Sequence, residues 1–282
     1  MAMVFGAIVS VQLGSAIAVS LFDELSPAGV ALMRLSIAAL VMGVWVAATH
    51  GIRGFAVTGT IAFLGADFAL MNLALYEAAD RIPLGPAVAL EFLGPLGLAL
   101  ALSRRPADVL VALVALAGVL VLRPVGGSLD PLGAGLAVVS GVLWAGYILL
   151  IRRVSDRTSG VASLAPAFMV GAVVIAPIAM IQGLDGIGGA HVLSAGLVVA
   201  VLSSVVPYGL ELAAIRHLPS RVFGVLMSIE PAFAAFAGFA ILSQRLGVTQ
   251  ILGIALVVAA CAAATAVPEH AGSSQEIHSS PP

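Results

Sequence analysis

The sequence contains no lysine and little charge of either sign. All twelve basic residues among its 282 are arginine, and charged residues make up only 9% of the chain. A P-loop ends in Gly-Lys-Ser/Thr and a Schiff base needs a lysine amine, so the missing lysine excludes P-loop ATPases and Schiff-base enzymes. A net charge of −2 also leaves no basic face for binding nucleic acid.

Cysteine and histidine are also too few, or too scattered, for a metal site. Cys261 is the only cysteine, which excludes an intramolecular disulfide and a thiolate metal cluster. The five histidines lie in predicted connections or in the C-terminal tail, without the spacing of metal ligands. We therefore expect no metal and no other cofactor.

Apolar sequence, in contrast, is abundant. Hydrophobic residues make up 61% of the chain and charged residues 9%, whereas soluble domains carry about 25% charged residues. A membrane-spanning helix takes roughly 20 residues. We predict an all-α polytopic membrane protein with ten transmembrane helices, over residues 3–22, 28–49, 55–76, 84–103, 107–122, 132–151, 161–182, 192–214, 219–242 and 248–267.

The positions of the arginines predict how these helices are oriented. With the N-terminus in the cytoplasm, eight arginines fall in inner connections and three in outer ones. Since cytoplasmic connections carry the excess of basic residues, we expect both termini to be cytoplasmic. Residues 268–282 are polar and rich in Ser and Pro, which predicts a disordered cytoplasmic tail.

A weak internal repeat divides the ten spans into two sets of five. Ile82-Pro83-Leu84-Gly85 recurs as Leu218-Pro219-Ser220-Arg221, at an offset of 136 residues. Residues 1–125 and 128–267 are therefore predicted to be homologous halves. Because five is odd, the second half crosses the membrane in the opposite sense, and such inverted repeats are typical of secondary transporters with a substrate site near the midplane.

Three acidic residues lie deep in predicted spans, where a charge costs roughly 3 kcal/mol on insertion scales. Glu230 is near the middle of the ninth span, and Glu91 is in the equivalent fourth span. The offset maps Glu91 to three residues before Glu230, about one helical turn, so both carboxylates are predicted to face one central cavity. A structural hydrogen bond between helices is the alternative interpretation. Asp67, central in the third span, is a further candidate.

Prolines and other polar residues complete the candidate site. Pro231 follows Glu230 and Pro95 follows Glu91 by four residues. Proline removes an amide donor and so frees the carbonyl one turn earlier, which is tolerated at membrane depth where it lines a cavity, although proline also simply kinks helices. Arg34 either snorkels to the outer interface or binds a carboxylate. Polar or aromatic side chains that could line a pore are Gln12, Asn72, Trp144 and Tyr208.

Two other features have structural interpretations. Glu211 lies close to the inner end of its span, which favours an interfacial role. The small residues Gly133-Ala134-Gly135 and Gly141 are typical of close helix packing in membranes.

Three stretches of the sequence carry a resemblance to a known family. They are Leu90-Glu91-Phe92-Leu93-Gly94-Pro95, Val206-Pro207-Tyr208-Gly209-Leu210-Glu211 and Ile229-Glu230-Pro231-Ala232. With these motifs, residues 2–267 resemble the EamA-type drug/metabolite transporters, in the branch of threonine/homoserine exporters. One departure is Ser243-Gln244, which stands where the family often has Gly-Glu.

The resemblance implies ten helices in two inverted repeats and export of small amino acids across the bacterial inner membrane. We expect a secondary active exporter of small zwitterions that uses proton antiport rather than ATP. Glu91 and Glu230 are expected to receive the ammonium group or an exchanging proton, and Arg34 or a half-helix N-terminus the carboxylate. The alternatives are export of a drug, a sugar or another amine, a channel or scaffold, and a membrane-embedded enzyme.

Overall fold

The computed structural model describes residues 1–51, 55–102, 107–122, 129–155, 162–215, 217–218 and 220–266. The predicted tail, 268–282, lies outside these ranges. Within them the chain is helical and contains no strand. The helices are α1 (Ala2–Ser20), α2 (Pro27–His50), α3 (Gly59–Arg81), α4 (Leu84–Glu91), α5 (Leu93–Leu102), α6 (Ala107–Val121), α7 (Pro131–Ser155), α8 (Leu164–Gln182), α9 (Ala190–Ala200), α10 (Val206–Ile215), α11 (Ser220–Met227), α12 (Glu230–Leu242) and α13 (Val248–Ala266).

The lengths and compositions of these helices fit a polytopic membrane protein. Eight helical stretches are long and apolar enough to cross a membrane, and two shorter apolar stretches lie in α6 and α13. They follow the order of the predicted spans. The predicted end of the third span at residue 76 is wrong, because α3 continues to Arg81. Charges end the apolar run without ending the helix, since Arg81 Nη1 lies 3.1 Å from Glu77 Oε2.

Three of the predicted spans are interrupted at membrane depth, and a proline lies near each interruption. The fourth span breaks between α4 and α5, and the ninth breaks between α11 and α12. Both bounds of α11 lie 136 residues after those of α4. The eighth span contains a π-helical turn, Val201–Val205, between α9 and α10. Pro95, Pro231 and Pro207 lack the amide hydrogens that would continue the helical bonding at these points.

Glycines allow α7 to pack closely against the break between α4 and α5. A Cβ added at Gly94 would collide with the backbone of Gly141, and one added at Gly141 would collide with the carbonyl oxygen of Glu91. Pro95 cannot donate a hydrogen bond to that carbonyl oxygen, so the glycine contact fills the space beside it. The predicted packing role is therefore right for Gly141, whereas an added Cβ at Gly135 would meet no atom within 4 Å.

Two glutamines join the halves of the chain at the end where α2 and α4 begin. Gln182 Oε1 accepts a hydrogen bond from the Ala28 amide at 3.2 Å, and Gln182 Nε2 donates to Glu77 Oε1 at 2.6 Å. Gln244 Oε1 accepts from the Leu84 amide at 3.0 Å. Such bonds satisfy amides that a helix N-terminus leaves without an internal partner. The side-chain amide of Gln244 thus caps the N-terminus of α4 without the charge that a glutamate would bring to this position.

We expect Gly94→Ala to destabilise the protein by about 2 kcal/mol, because overpacking against an unyielding backbone costs about 1–3 kcal/mol. Gly135→Ala is the matched control, since its added methyl group meets open space, and it should be neutral or slightly stabilising. Thermal unfolding of the purified protein in detergent measures both variants. Equal stability of the two variants would contradict the packing described for Gly94.

Candidate functional site

A cavity of about 90 Å³ lies where the interrupted helices meet. Of the eight residues that the sequence predicts for a site, seven line it: Gln12, Arg34, Asn72, Glu91, Trp144, Tyr208 and Glu230. The structure thus brings together side chains from both halves of the chain. It also adds wall residues that the sequence did not predict for the site, among them Tyr147, Ser203 and Glu211.

Arg34 is buried in the wall of this cavity, with 4% of its surface exposed. The alternative that Arg34 snorkels to an interface is therefore wrong. Its Nη2 donates to the carbonyl oxygen of Ser203 at 2.6 Å, its Nε to Ser204 Oγ at 3.0 Å and its Nη1 to the Tyr76 hydroxyl at 3.1 Å. These bonds use three of the five guanidinium N–H groups, which leaves two for another acceptor.

Two of the three partners of Arg34, Ser203 and Ser204, lie in the π-helical turn, and the local sequence bears on why the Ser203 carbonyl binds it. In an α-helix the Ser203 carbonyl would accept from residue 207, but Pro207 has no amide hydrogen. The carbonyl of Ser203 consequently lacks its α-helical donor, and it accepts a hydrogen bond from the guanidinium group. Arg34 forms no ion pair with any acidic side chain in the described ranges. The cavity therefore contains a cation whose hydrogen bonds, within the described part of the chain, all go to neutral oxygens.

Glycine brings α1 against the same turn. A Cβ added at Gly14 would collide with Ser203 Oγ, and Ser10 Oγ donates to the Leu202 carbonyl at 2.7 Å. Ser203 Oγ is buried without a hydrogen-bond partner. Its hydroxyl is therefore a further donor beside Arg34.

Gln12 and Glu230 form a second polar group on the cavity wall. Gln12 Nε2 donates to Glu230 Oε1 at 2.8 Å. The other oxygen of each side chain, Gln12 Oε1 and Glu230 Oε2, is buried without a partner. Leaving a buried acceptor unpaired costs about 1–3 kcal/mol. Gln12 and Glu230 both line the cavity, and these two oxygens are the acceptors that their side chains keep for a ligand with N–H donors.

Glu91 is held differently from Glu230. Its Oε1 lies 2.6 Å from Ser140 Oγ, which in turn lies 2.9 Å from the Met71 carbonyl oxygen. Ser140 is completely buried. The three residues belong to α4, α7 and α3, so the Glu91 carboxyl group is part of a contact between three helices.

Aromatic rings form the rest of the wall. Trp144 packs edge-on against Phe92, with ring centroids 4.7 Å apart. The ring of Tyr208 lies 5.6 Å from that of Phe68 and 6.2 Å from that of Tyr147. Asn72 Nδ2 donates to the Phe68 carbonyl at 2.8 Å within α3. These residues shape the cavity with rings and apolar atoms, so its few polar groups determine which ligand chemistry fits.

Asp67 is the one predicted site residue that the structure does not bring to the cavity. It lies one turn before Met71 on α3, against α7, where a Cβ added at Gly146 would be 3.0 Å from Asp67 Oδ1. Glu211 shows the opposite outcome, because the structure places it on the cavity wall rather than giving it the interfacial position predicted from the sequence. Asp67 is on the same face of α3 as Met71, which lines the cavity one turn later. Asp67 is therefore separated from the cavity by its position along the helix axis.

Tyr76→Phe should lower the unfolding free energy by about 1–2 kcal/mol, since a buried donor of Arg34 then loses its acceptor. Ser20→Ala is a suitable control, because that exposed hydroxyl bonds only to the Ile17 carbonyl of its own helix, and surface changes are usually within about 0.5 kcal/mol. Denaturation in detergent measures the difference. No loss in Tyr76→Phe would show that Arg34 does not depend on this hydroxyl.

Known proteins share both the sequence and the fold of this chain. Residues 131–266 match the model of the EamA-like transporter family. The threonine/homoserine exporter RhtA of Salmonella typhimurium strain LT2 is 37% identical over 259 residues, which cover 91% of this chain and 88% of that protein. RhtA of Escherichia coli strain K12 is 36% identical over 262 residues, 92% of this chain and 88% of that protein.

A solved crystal structure has the same fold. It aligns with a TM-score of 0.67, covers 94% of this chain and 96% of its own, and is 19% identical in sequence. The relatives with the higher identities are transporters and not enzymes. The chain therefore belongs to the EamA-like transporter family, in the branch that contains the RhtA exporters, and it is a multi-pass membrane transporter.

Proposed function

We propose that the protein exports small zwitterionic amino acids, threonine- or homoserine-like, in exchange for protons. One observation carries the proposal: an arginine without an ion pair and the carboxyl groups of Glu91, Glu211 and Glu230 face the same small cavity. An α-amino acid presents an ammonium group and a carboxylate on one carbon atom. The relatives named threonine/homoserine exporters favour the same substrate class.

The polar groups of the cavity suggest how such a substrate is oriented. Its carboxylate accepts hydrogen bonds from the two free N–H groups of Arg34 and from the hydroxyl of Ser203. Its ammonium group donates to Gln12 Oε1 and Glu230 Oε2, the buried acceptors for which the described part of the chain supplies no partner. Charge-assisted bonds of this kind are about twice as strong as neutral ones. Binding thus gives these atoms hydrogen-bond partners.

The size of the cavity favours a small metabolite over a drug. Pockets for drug-sized ligands measure about 300–1,000 Å³, whereas this cavity measures about 90 Å³. A sugar would leave Arg34 without a counter-charge, and a simple amine would do the same. Both alternatives fit the polar groups less well than a zwitterion does.

The proposed mechanism is alternating access between two inverted halves, 1–125 and 128–267. Support comes from the 136-residue offset between α4 and α11 and from the prolines that follow both helices. Broken helices at midplane are typical of such transporters. The excess of arginine in alternate connections supports cytoplasmic termini in the inner membrane. A proton gradient is the proposed energy source, with buried carboxyl groups as the carriers of the exchanged proton.

Glu230→Gln should lower threonine counterflow in proteoliposomes at least tenfold. The neutral amide removes the counter-charge of the ammonium group and can direct its own N–H groups at it. Glu24→Gln makes the same change at an exposed side chain, 47% accessible, and should transport like the wild type. Saturable counterflow in the wild type distinguishes a carrier from a channel, whose flux rises linearly with concentration. Full counterflow in Glu230→Gln would refute this assignment of Glu230.

A further inference from the structure

We propose that Ser140 links the protonation of Glu91 to the contact between the two halves of the transporter. Glu91 then carries the exchanged proton, while Glu230 binds the substrate. This inference rests on the proposed proton antiport. It assigns a positioning role to a serine that does not line the cavity, and it separates the roles of two glutamates that the sequence alone treats alike.

The Ser140 hydroxyl has fewer hydrogens to donate than it has oxygens around it. A serine hydroxyl has one hydrogen to donate, and a carbonyl oxygen can only accept. Ser140 Oγ is within hydrogen-bond distance of two oxygens, 2.6 Å from Glu91 Oε1 and 2.9 Å from the Met71 carbonyl. Ser140 forms an undivided hydrogen bond with each oxygen at once only if it donates to Met71 and accepts from Glu91, since sharing its one hydrogen between both oxygens would weaken each bond. That arrangement requires the Glu91 carboxyl group to hold a proton.

Ionisation of Glu91 reverses the arrangement. The carboxylate can no longer donate, and it becomes the stronger acceptor because it is charged. The single hydrogen of Ser140 then turns from the Met71 carbonyl to Glu91. The bond between α7 and α4 therefore persists in both protonation states with its direction reversed, whereas the bond between α7 and α3 exists only while Glu91 is neutral.

The bond that changes lies in the seam between the predicted halves. Helix α3 belongs to the first half and α7 to the second. They are in close contact on both sides of Ser140, because a Cβ added at Gly133 would lie 2.9 Å from Arg81 Cβ and one added at Gly146 would lie 3.0 Å from Asp67 Oδ1. A change of hydrogen bond at Ser140 thus acts on an interface that alternating access must rearrange.

The surroundings of Glu91 supply the charges that respond to substrate. The titratable and charged groups on the cavity wall are Arg34 from α2, Tyr147 from α7, Tyr208 and Glu211 from α10 and Glu230 from α12. Helices α1, α3 and α11 contribute only uncharged side chains to the wall, among them Gln12, Asn72 and Met227. A substrate ammonium group at Glu230 places a positive charge on the wall that Glu91 shares, which favours ionised Glu91. Glu91 then releases its proton to the side to which the cavity opens and takes one up again after the substrate has left, which is the order that antiport requires.

Glu230 lacks such a switch. Its hydrogen-bond donor is the amide Nε2 of Gln12, 2.8 Å from Glu230 Oε1. An amide N–H donates to a carboxyl oxygen and to a carboxylate alike. The bond therefore persists in both protonation states, and the free Oε2 stays available to the substrate.

Two transport assays with the full-length protein in proteoliposomes test the proposal. One measures threonine counterflow, in which no net proton movement is needed. The other measures threonine accumulation driven by an acidic vesicle interior, in which protons leave as threonine enters. Ser140→Ala should keep counterflow within about twofold of the wild type and lower accumulation about tenfold, the scale of one hydrogen bond to a charged group. Ser194→Ala, at an exposed serine that bonds within its own helix, should change neither activity.

A second variant guards against a folding defect at this buried position. Ser140→Cys keeps nearly the same shape but supplies only a weak donor, so it should show the same separation of the two activities. In infrared spectra, the C=O stretch of protonated Glu91, identified by its absence in Glu91→Gln, should move to higher frequency in Ser140→Ala.

The possible outcomes separate the two proposals. The role of Ser140 would be overturned if both Ser140 variants accumulated threonine like the wild type. It would also be overturned if both variants lost counterflow and accumulation equally. Neither result would contradict the proposed export function. Counterflow without any accumulation in the wild type would instead overturn proton antiport itself.

Discussion

The unpaired charge of Arg34 is the constraint on which the rest of the cavity depends. A buried cation needs several hydrogen-bond acceptors when no carboxylate neutralises it. Here a backbone carbonyl supplies the shortest of these bonds, 2.6 Å from Nη2 to Ser203, and Pro207 makes that carbonyl available. If an acidic residue paired with Arg34, the guanidinium group would be neutralised and closed to a substrate carboxylate. Solvation by neutral oxygens keeps the charge and the two remaining N–H groups available.

The need to give every buried polar group a partner also explains why the interrupted helices meet at the cavity. Lipid cannot satisfy a backbone carbonyl that has lost its helical partner, so such carbonyls are tolerated only inside protein or beside a cavity. Pro95, Pro207 and Pro231 each create one in a different span. Glycines then fill the space around them, as Gly141 does beside Glu91. The polar centre and the close packing around it are thus consequences of one sequence feature, proline at membrane depth.

Much of this arrangement was predictable from the sequence, because charged residues are rare in it. Glu91, Glu230 and Arg34 stand out in apolar spans, and all three line the cavity. The sequence did not predict how far along each helix the cavity extends. Glu211 lines the cavity although it lies near the end of its span, whereas Asp67 does not line it although it lies deeper in its span. Ser140 gave no signal, because a serine in an apolar helix is common and its role depends on the oxygens that surround it in three dimensions.

The central claim is that the cavity recognises both charges of a zwitterion at once. Competition against threonine counterflow tests it directly with homoserine, 3-aminopropan-1-ol and 4-hydroxybutanoate. The last two compounds are homoserine without its carboxylate and without its ammonium group. The account predicts that homoserine competes strongly and that each single-charge analogue is weaker by about a hundredfold, the scale of one lost charged contact in a buried site. Equal competition by either analogue would contradict it.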